Sequence, residues 1–571
     1  MDKQLIYQMH QAHAVMIDGQ TFMPTNYFVD YINILDLLEQ RVKENKNDPF
    51  ITYYAQGGVA VSYTYDEFRR KVFQTASYLR AQGLIEESRV ATVSYNHIDT
   101  VVQYFAAWCA GMTVVPINIG EGAERIKYIL EHSETKLAFV RDEFMETISN
   151  LGLDITLLPS SEFDSTISAY SDEFGQAQIT DTRVAQKNTN AERATYADLE
   201  TEALIVYTSG TTGLPKGVVL TQYNLLVDAD AISRWHGLSN CDAMMCVLPI
   251  HHVNGIVVTL ITPMVCGGRV VLNQKFQTDV FFERLAAETV KIVSVVPTLL
   301  QFLLHADIDI SRYNLANFKH FICGAGPLTV ELAMNFEKRY GLKIVHGYGL
   351  SETTCYSCFL PTDLADDEHQ KWMSEFGFPS IGTPIPPNEM AIVNTRGEKV
   401  REGWRGEIVI RGHNVMKGYY QNHDANMKAF EHGWFHSGDE GFFKTDAQGR
   451  KYFFITGRLK ELIIRGGVNL SPLEIDEVLN GIAGVKCAIA VGFENDWYGE
   501  EVGALVQLKD GVRLSEADVL KHCAEKLPFP KQPKAVVFSD DIPVTSTGKY
   551  QRNKAKDLFK QWKTVQFKEQ K

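Results

Sequence analysis

Apolar and polar positions along this chain alternate in two periods. Short apolar runs at residues 90–95, 112–116 and 136–140 read as buried strands, and between them 100–109 and 123–132 carry apolar side chains at helical spacing. An amphipathic helix is expected over 29–42, where Ile32, Leu35, Leu37 and Leu38 are set among polar residues, and another from Tyr63 through Leu79. Residues 1–30 carry no strong pattern. A run at 203–207 stops abruptly in a polar turn, and further strands follow at 243–248, 268–272, 292–296, 320–323 and 343–346, with a helix over 281–287. Alternation of this kind implies parallel, doubly wound sheets, here two of them.

After Gly382 the pattern shifts to short strands at 390–394, 406–411 and 451–456, with glycine turns and a hairpin at Gln448-Gly449. Mixed α and β returns from 458, where Ser471 and Pro472 open a helix through Leu479 with a capping pattern. Residues 160–198, rich in Ser, Asp, Gln, Thr and Asn, read as a loop or mobile connection, and 560–571 as a frayed end. The expected fold class is α/β. A large N-terminal domain, 1–457, holds two doubly wound subdomains and a small β-rich one, and a small α+β domain, 458–571, follows.

Composition narrows the function classes. The 571 residues, 45% hydrophobic and 11% aromatic, suffice for a large core. A net charge of −14 argues against a nucleic-acid partner. Neither a signal peptide nor a transmembrane segment is expected, because the longest apolar run, 256–266, is too short to span a bilayer. Nine scattered cysteines point to a reducing compartment, the cytoplasm, and the lone Cys355-x-x-Cys358 lacks a second pair or a His at zinc spacing.

The candidate chemistry centres on Tyr207-Thr-Ser-Gly-Thr-Thr-Gly-Leu-Pro-Lys-Gly217. Glycines let backbone N–H groups approach an anion, hydroxyls add donors and Lys216 adds charge, so the stretch suits phosphate. Its spacing is not that of the common nucleoside-triphosphate loop, since Leu214 and Pro215 separate Gly213 from Lys216. The bland alternative is a flexible surface turn. Gly347-Tyr348-Gly349-Leu350-Ser351-Glu352-Thr353 sets an aromatic suited to a purine and a carboxylate suited to Mg²⁺ after a strand. Gly324-Ala325-Gly326-Pro327 also lies at a strand end, where open α/β sheets bind ligands. Asp439 is a plausible acceptor for ribose hydroxyls, and Lys549 sits on a glycine turn near the C-terminus.

In this order and spacing the motifs resemble the adenylate-forming superfamily of acyl- and aryl-CoA synthetases, peptide-synthetase adenylation domains and luciferases, over about residues 35–552. The resemblance implies a reaction in two halves, using ATP, Mg²⁺ and coenzyme A. A carboxylate attacks the α-phosphate of ATP to give an acyl-adenylate and pyrophosphate; a thiol then displaces AMP. By resemblance Thr208, Ser209, Gly210, Thr211, Thr212, Gly213 and Lys216 hold the β- and γ-phosphates, and Thr208 and Glu352 lie by the magnesium. Tyr348 stacks on adenine beside Gly324 to Pro327, and Asp439 and Arg458 hold the ribose. Lys549 matches the catalytic lysine of a mobile C-terminal domain, Lys460 its hinge and Gly467 the glycine lining the pantetheine passage. His251 and His252 match a segment between the acid site and the thiol channel, with gating open to either imidazole and His252 the candidate carried forward; a core histidine is the alternative.

Some positions depart from the pattern. Ser437 stands for the more frequent Thr and Ser546 for Pro, while Ile464 and Asn469 occupy positions that are basic in some relatives. Val253, Ile256, Cys323, Leu350, Cys355 and Tyr356 are implied to line the acid pocket, with a medium- or long-chain acid favoured. The expected partners are a small carboxylic acid, ATP and CoA. A carrier-protein phosphopantetheine is the alternative acceptor, and a non-catalytic nucleotide-binding protein the alternative of another class.

Overall fold

Two large sheets organise the chain. The computed structural model describes residues 2–17, 20–23, 26–58, 60–174, 198–208, 214–544 and 550–568. One sheet has seven strands in the order Gly418–Tyr419, Lys216–Thr221, Glu202–Thr208, Thr113–Ile117, Arg89–Val93, Leu137–Val140 and Thr156–Pro159. Its strands run parallel from Glu202–Thr208 onward, and the first two join antiparallel. The other has nine, in the order Thr383–Pro384, Cys358–Phe359, Lys343–Tyr348, His320–Cys323, Val290–Val295, Ala243–Cys246, Arg269–Asn273, Pro49–Tyr54 and Ala60–Thr64. It is parallel between Lys343–Tyr348 and Pro49–Tyr54, with antiparallel strands at both edges.

A helix that is apolar nearly all round must be buried. Ile98–Cys109 is such a helix, with only Asp99 outside the core. Its Trp108 Nε1 donates to the Ala203 carbonyl of the seven-stranded sheet at 2.8 Å, and Tyr104 Oη donates to the Ile250 carbonyl beyond the nine-stranded sheet at 3.0 Å. The two sheets therefore share one core.

The β-rich unit is a four-stranded antiparallel sheet of Asn388–Val393, Gly406–Gly412, Phe435–Thr445 and Lys451–Arg458. Beyond it lies a five-stranded sheet with Gly499–Leu508 at its centre and Val485–Asn495 paired along one side of it. One of its faces packs Ile475, Leu479 and Val519 from the helices Pro472–Asn480 and Glu516–Lys526, and the other packs Phe493 on Phe559.

Two strands the sequence did not single out, Pro49–Tyr54 and Ala60–Thr64, belong to the second sheet, because parallel pairing with Arg269–Asn273 takes Pro49–Tyr54 away from its sequence neighbours. Three expectations change. The patternless N-terminus contains a helix, Lys3–His13, whose two buried residues, Leu5 and Ala12, are too few to signal a face. The polar stretch 160–198 begins with a helix, Ser160–Ile167, docked through Phe163 and Ile167, while 175–197 lies outside the described residues. Ser471 precedes its helix as expected but makes no capping bond, since its hydroxyl donates instead to the Thr456 carbonyl in the β-rich sheet.

Candidate active site

The carboxyl ends of the strands in both sheets face a cavity of about 1080 Å³. Thr208 ends one strand and Lys216 begins the next, and the two strands pair antiparallel. Ser209, Gly210, Thr211, Thr212 and Gly213 lie outside the described residues, as does Lys549. The Lys216 ammonium sits 3.7 Å from the Tyr419 ring centroid. Burial lowers its pKa, the nearby Glu352 carboxylate works the other way, and Lys460 adds to the lowering.

Glu352 stands on a tight 3₁₀ turn, Ser351–Thr353, and its Oε1 accepts from Tyr419 Oη at 2.8 Å. The turn is held by side chain and backbone together. Leu350 N donates to Thr353 Oγ1 at 3.0 Å, and Met416 N donates to the Glu352 carbonyl at 2.8 Å. Thr208, Lys216, Ser351, Glu352 and Lys460 line the same cavity. One carboxylate and one hydroxyl beside space for phosphate oxygens is a donor set that fits Mg²⁺, which keeps few protein ligands.

On the adjoining side Asp439 is fixed from two directions. Its Oδ2 accepts from Tyr348 Oη at 2.7 Å, and its Oδ1 lies 3.4 Å from Arg458 Nε. Asp439 and Arg458 are direct partners in neighbouring strands, so the sheet register itself makes the pair. The Asp439 charge is the largest influence holding the guanidinium pKa above its ordinary value. Gly324, Gly326, Pro327 and Gly347 gather around Tyr348 and Gly349, and Ala325, with φ +62°, faces both the large cavity and a smaller one of about 370 Å³. Close packing explains the glycines. A Cβ on Gly324 would meet Tyr356 Oη at 2.6 Å, and one on Gly349 would overlap the Cys355 carbonyl.

His251 and His252 enter the wall from the turn before a π-helix, Asn254–Ile261, with ring centroids 4.3 Å apart. Burial pushes the His251 imidazole down to about 4, so it is neutral near pH 7. Val253, Leu350, Cys355 and Tyr356 line the cavity as expected. Ile256 and Cys323 do not. They are fully buried and stand outside the cavity lining. Gly467 is likewise apart from the cavity, at the exposed tip of the hairpin joining Ile463–Arg465 to Val468–Leu470, with φ +81° and nothing within 4 Å of its Cβ position.

A two-part α/β molecule whose strand ends converge on a buried Asp–Arg–Tyr cluster, a lysine and a lone carboxylate defines a nucleotide-binding enzyme architecture. Residues 38–420 match the AMP-binding enzyme model and 474–549 that of the AMP-binding enzyme C-terminal domain, and the chain belongs to this family, the adenylate-forming superfamily of acyl-CoA synthetases. It is 34% identical over 479 residues to a sulfoacetate–CoA ligase of Cupriavidus necator, covering 83% of this chain and 88% of that protein. An oxalate–CoA ligase of Arabidopsis thaliana is 32% identical over 493 residues, covering 84% and 90%. The crystal structure of ATP-bound MatB from Rhodopseudomonas palustris superposes with a TM-score of 0.78 at 25% identity, covering 92% of this chain and 99% of that one. No helix among the described residues is long and apolar enough to cross a membrane.

Sequence reasoning passed over Asp228, in the helix Gln222–Trp235. Its carboxyl is fully buried and accepts from Tyr356 N at 3.3 Å and from Asn414 Nδ2 at 3.0 Å. Asn414 Nδ2 also donates to the Tyr356 carbonyl, and the Asn414 carbonyl accepts from Thr354 Oγ1 at 2.6 Å. Asp228 thus supports the segment carrying Glu352 and Tyr356 from below; an acid on the apolar face of Asn224-Leu-Leu-Val-Asp-Ala was the available signal. Burial pushes this carboxyl up to about 8. Because the folded-state value lies above the unfolded one, the neutral acid favours folding, and that advantage is full below about pH 4 and declines until about pH 8. In thermal melts of wild type and Asp228→Asn, the variant should carry a fixed offset from its altered hydrogen bonding. The difference, variant minus wild type, should rise from pH 5 to pH 8 and level off above; a difference independent of pH would refute the assignment.

Proposed function

We propose that this cavity activates a carboxylic acid with ATP and passes the acyl group to coenzyme A, releasing pyrophosphate and AMP. The protein is an AMP-forming acid–CoA ligase that uses ATP, Mg²⁺ and CoA. The convergence of Lys216, Glu352, Lys460, Asp439 and Arg458 on one cavity supports this reading most strongly. Asp439 and Arg458 would hold the ribose, Tyr348 and the 324–327 loop the adenine, and Thr208 to Lys216 the departing pyrophosphate. Mg²⁺ beside Glu352 and Thr208 would neutralise phosphate charge during the attack. The catalytic cation is assigned to Lys549. Val544, which lines the large cavity, and Tyr550, which lines the smaller one, pair antiparallel and flank that lysine in sequence.

The domain boundary is placed at 457/458, with Lys460 the hinge. Gly467 is assigned to the thiol passage although it stands away from the cavity, so the C-terminal domain must turn between half-reactions. His252 is assigned to the partition between acid and thiol. All nine cysteines are free, which supports a reducing compartment, the cytoplasm.

The acid proposed is compact with an uncharged tail, in place of the medium or long chain first expected. Tyr356, 2% exposed, closes the inner end, its hydroxyl accepting from Asn254 Nδ2 at 3.2 Å while Ser294 Oγ donates to Asn254 Oδ1 at 2.8 Å. Val253, Leu350, Cys355 and Tyr356 bring no charge to this end, which disfavours a second carboxylate or sulfonate.

Two experiments bear on these assignments. Lys549→Ala should slow adenylate formation by roughly 10²–10³ while still converting supplied acyl-adenylate to thioester, and Gly467→Leu should do the reverse. Equal loss of both halves in each variant would sink the division of labour. In a pyrophosphate-release screen, wild type should favour butyrate over octanoate; Tyr356→Ala should raise kcat/KM for octanoate about tenfold or more, and Tyr356→Phe should not. A wild-type preference for octanoate would overturn the compact-acid assignment.

A further inference from the structure

The first N–H groups of a helix have no partner within it and must find acceptors elsewhere. In the helix Val330–Tyr340, which begins three residues after the 324–327 loop, Thr329 Oγ1 accepts only from Leu332 N, at 3.2 Å. The two earlier donors are taken by a side chain from the C-terminal part of the chain. Glu477, in the helix Pro472–Asn480, accepts from Val330 N through Oε2 at 3.2 Å and from Glu331 N through Oε1 at 3.1 Å.

We infer that Glu477 is a positioning residue that clasps the C-terminal domain in the adenylate-forming orientation by capping this N-domain helix. The inference rests on the proposed rotation about Lys460. A carboxylate spanning two consecutive N–H groups at the positive end of a helix is directional, so a small rotation breaks both bonds. Other ties also cross this interface: Gln301 Nε2 donates to the Lys486 carbonyl at 2.7 Å, Arg405 lies 3.5 Å from a Glu474 that Lys531 also holds, Ser471 Oγ donates to the Thr456 carbonyl, and Leu459 N donates to the Gly438 carbonyl at 2.9 Å. Burial pushes the Glu477 carboxyl up to about 7. The two donors therefore offset only part of its desolvation. Because the capped helix continues the 324–327 loop, closure also steadies a wall of the nucleotide site.

The two half-reactions separate this role from a merely structural one. Glu477→Ala should slow adenylate formation about tenfold, the loss expected for hydrogen bonds to a charged acceptor, while thioester formation from supplied acyl-adenylate stays equal or rises. Val330→Pro removes one donor and leaves the helix start intact, since proline is accepted at the first helical position and Thr329 already has φ −87° and ψ 152°. It should reproduce part of the effect, and the double variant should be no slower than Glu477→Ala. Unchanged melting temperatures keep the comparison clean. Loss of both half-reactions together, or strictly additive effects in the double variant, would remove the clasp while leaving the ligase reading intact. A wild type that performs neither half-reaction with any acid would instead bring down the parent reading.

Discussion

One buried carboxylate ties together the bodies that meet at the cavity. Asp439 is 2% exposed, and a charge so placed is tolerable only when paired and hydrogen-bonded. Its hydroxyl donor, Tyr348, ends an inner strand of the nine-stranded sheet; its cation, Arg458, ends the last strand of the β-rich sheet, at the proposed domain boundary. The β-rich sheet cannot slide on the larger one without breaking the Tyr348 bond to this charge. The position of Tyr348 is fixed by the same bond, and with it the shape of the smaller cavity.

A second buried carboxyl works by the opposite electrostatic logic. No cation among the described residues pairs with Asp228, and burial pushes its carboxyl up to about 8, whereas Asp439 is paired with the Arg458 guanidinium. Both are supports rather than reagents. Asp228 and Asn414 hold the backbone of Tyr356 at its N–H and its carbonyl, so the position of the ring proposed to close the acid end is set by main-chain geometry. Glu352 shares the support, because Met416 and Thr354 anchor neighbouring points of the same turn to the 414–416 segment.

Much of this was legible from periodicity. The strands near 90, 114, 138, 322 and 390, and the helices at 123–132 and 281–287, sit where apolar spacing puts them, because each buries a complete face. What pairs with what was less accessible: nothing local in residues 49–54 says that their partner lies at 269–273, a choice made by the shared core. Site residues concentrated in glycine-rich turns at strand ends stood out, since such turns need an explanation. Asp228, Asn254 and Glu477 did not, because each looks ordinary in its own helix and takes its meaning from a partner far along the chain. The same limit explains Ile256 and Cys323. Their residue types suit a pocket wall, but both side chains are fully buried in the main core.

The hairpin at Thr208 and Lys216 has a further consequence for the proposed phosphate cradle. In the common nucleotide loop the turn opens directly into a helix, whose N-terminus supplies partial positive charge. Here the turn returns into a strand, Lys216–Thr221, and the next helix starts at Gln222, at that strand's other end. No helix N-terminus follows the turn, so side chains must supply the positive charge. Lys216 is poorly suited to act alone, for burial lowers its pKa and only Glu352 counters the effect. A site built this way needs further cations from outside the hairpin. Lys460 and Arg458 line it already, and the proposed catalytic Lys549, on a domain proposed to turn, would be withdrawn when the second half-reaction no longer requires it. The unfamiliar glycine spacing and the two-domain construction are, on this argument, consequences of one choice: a hairpin in place of a helix start.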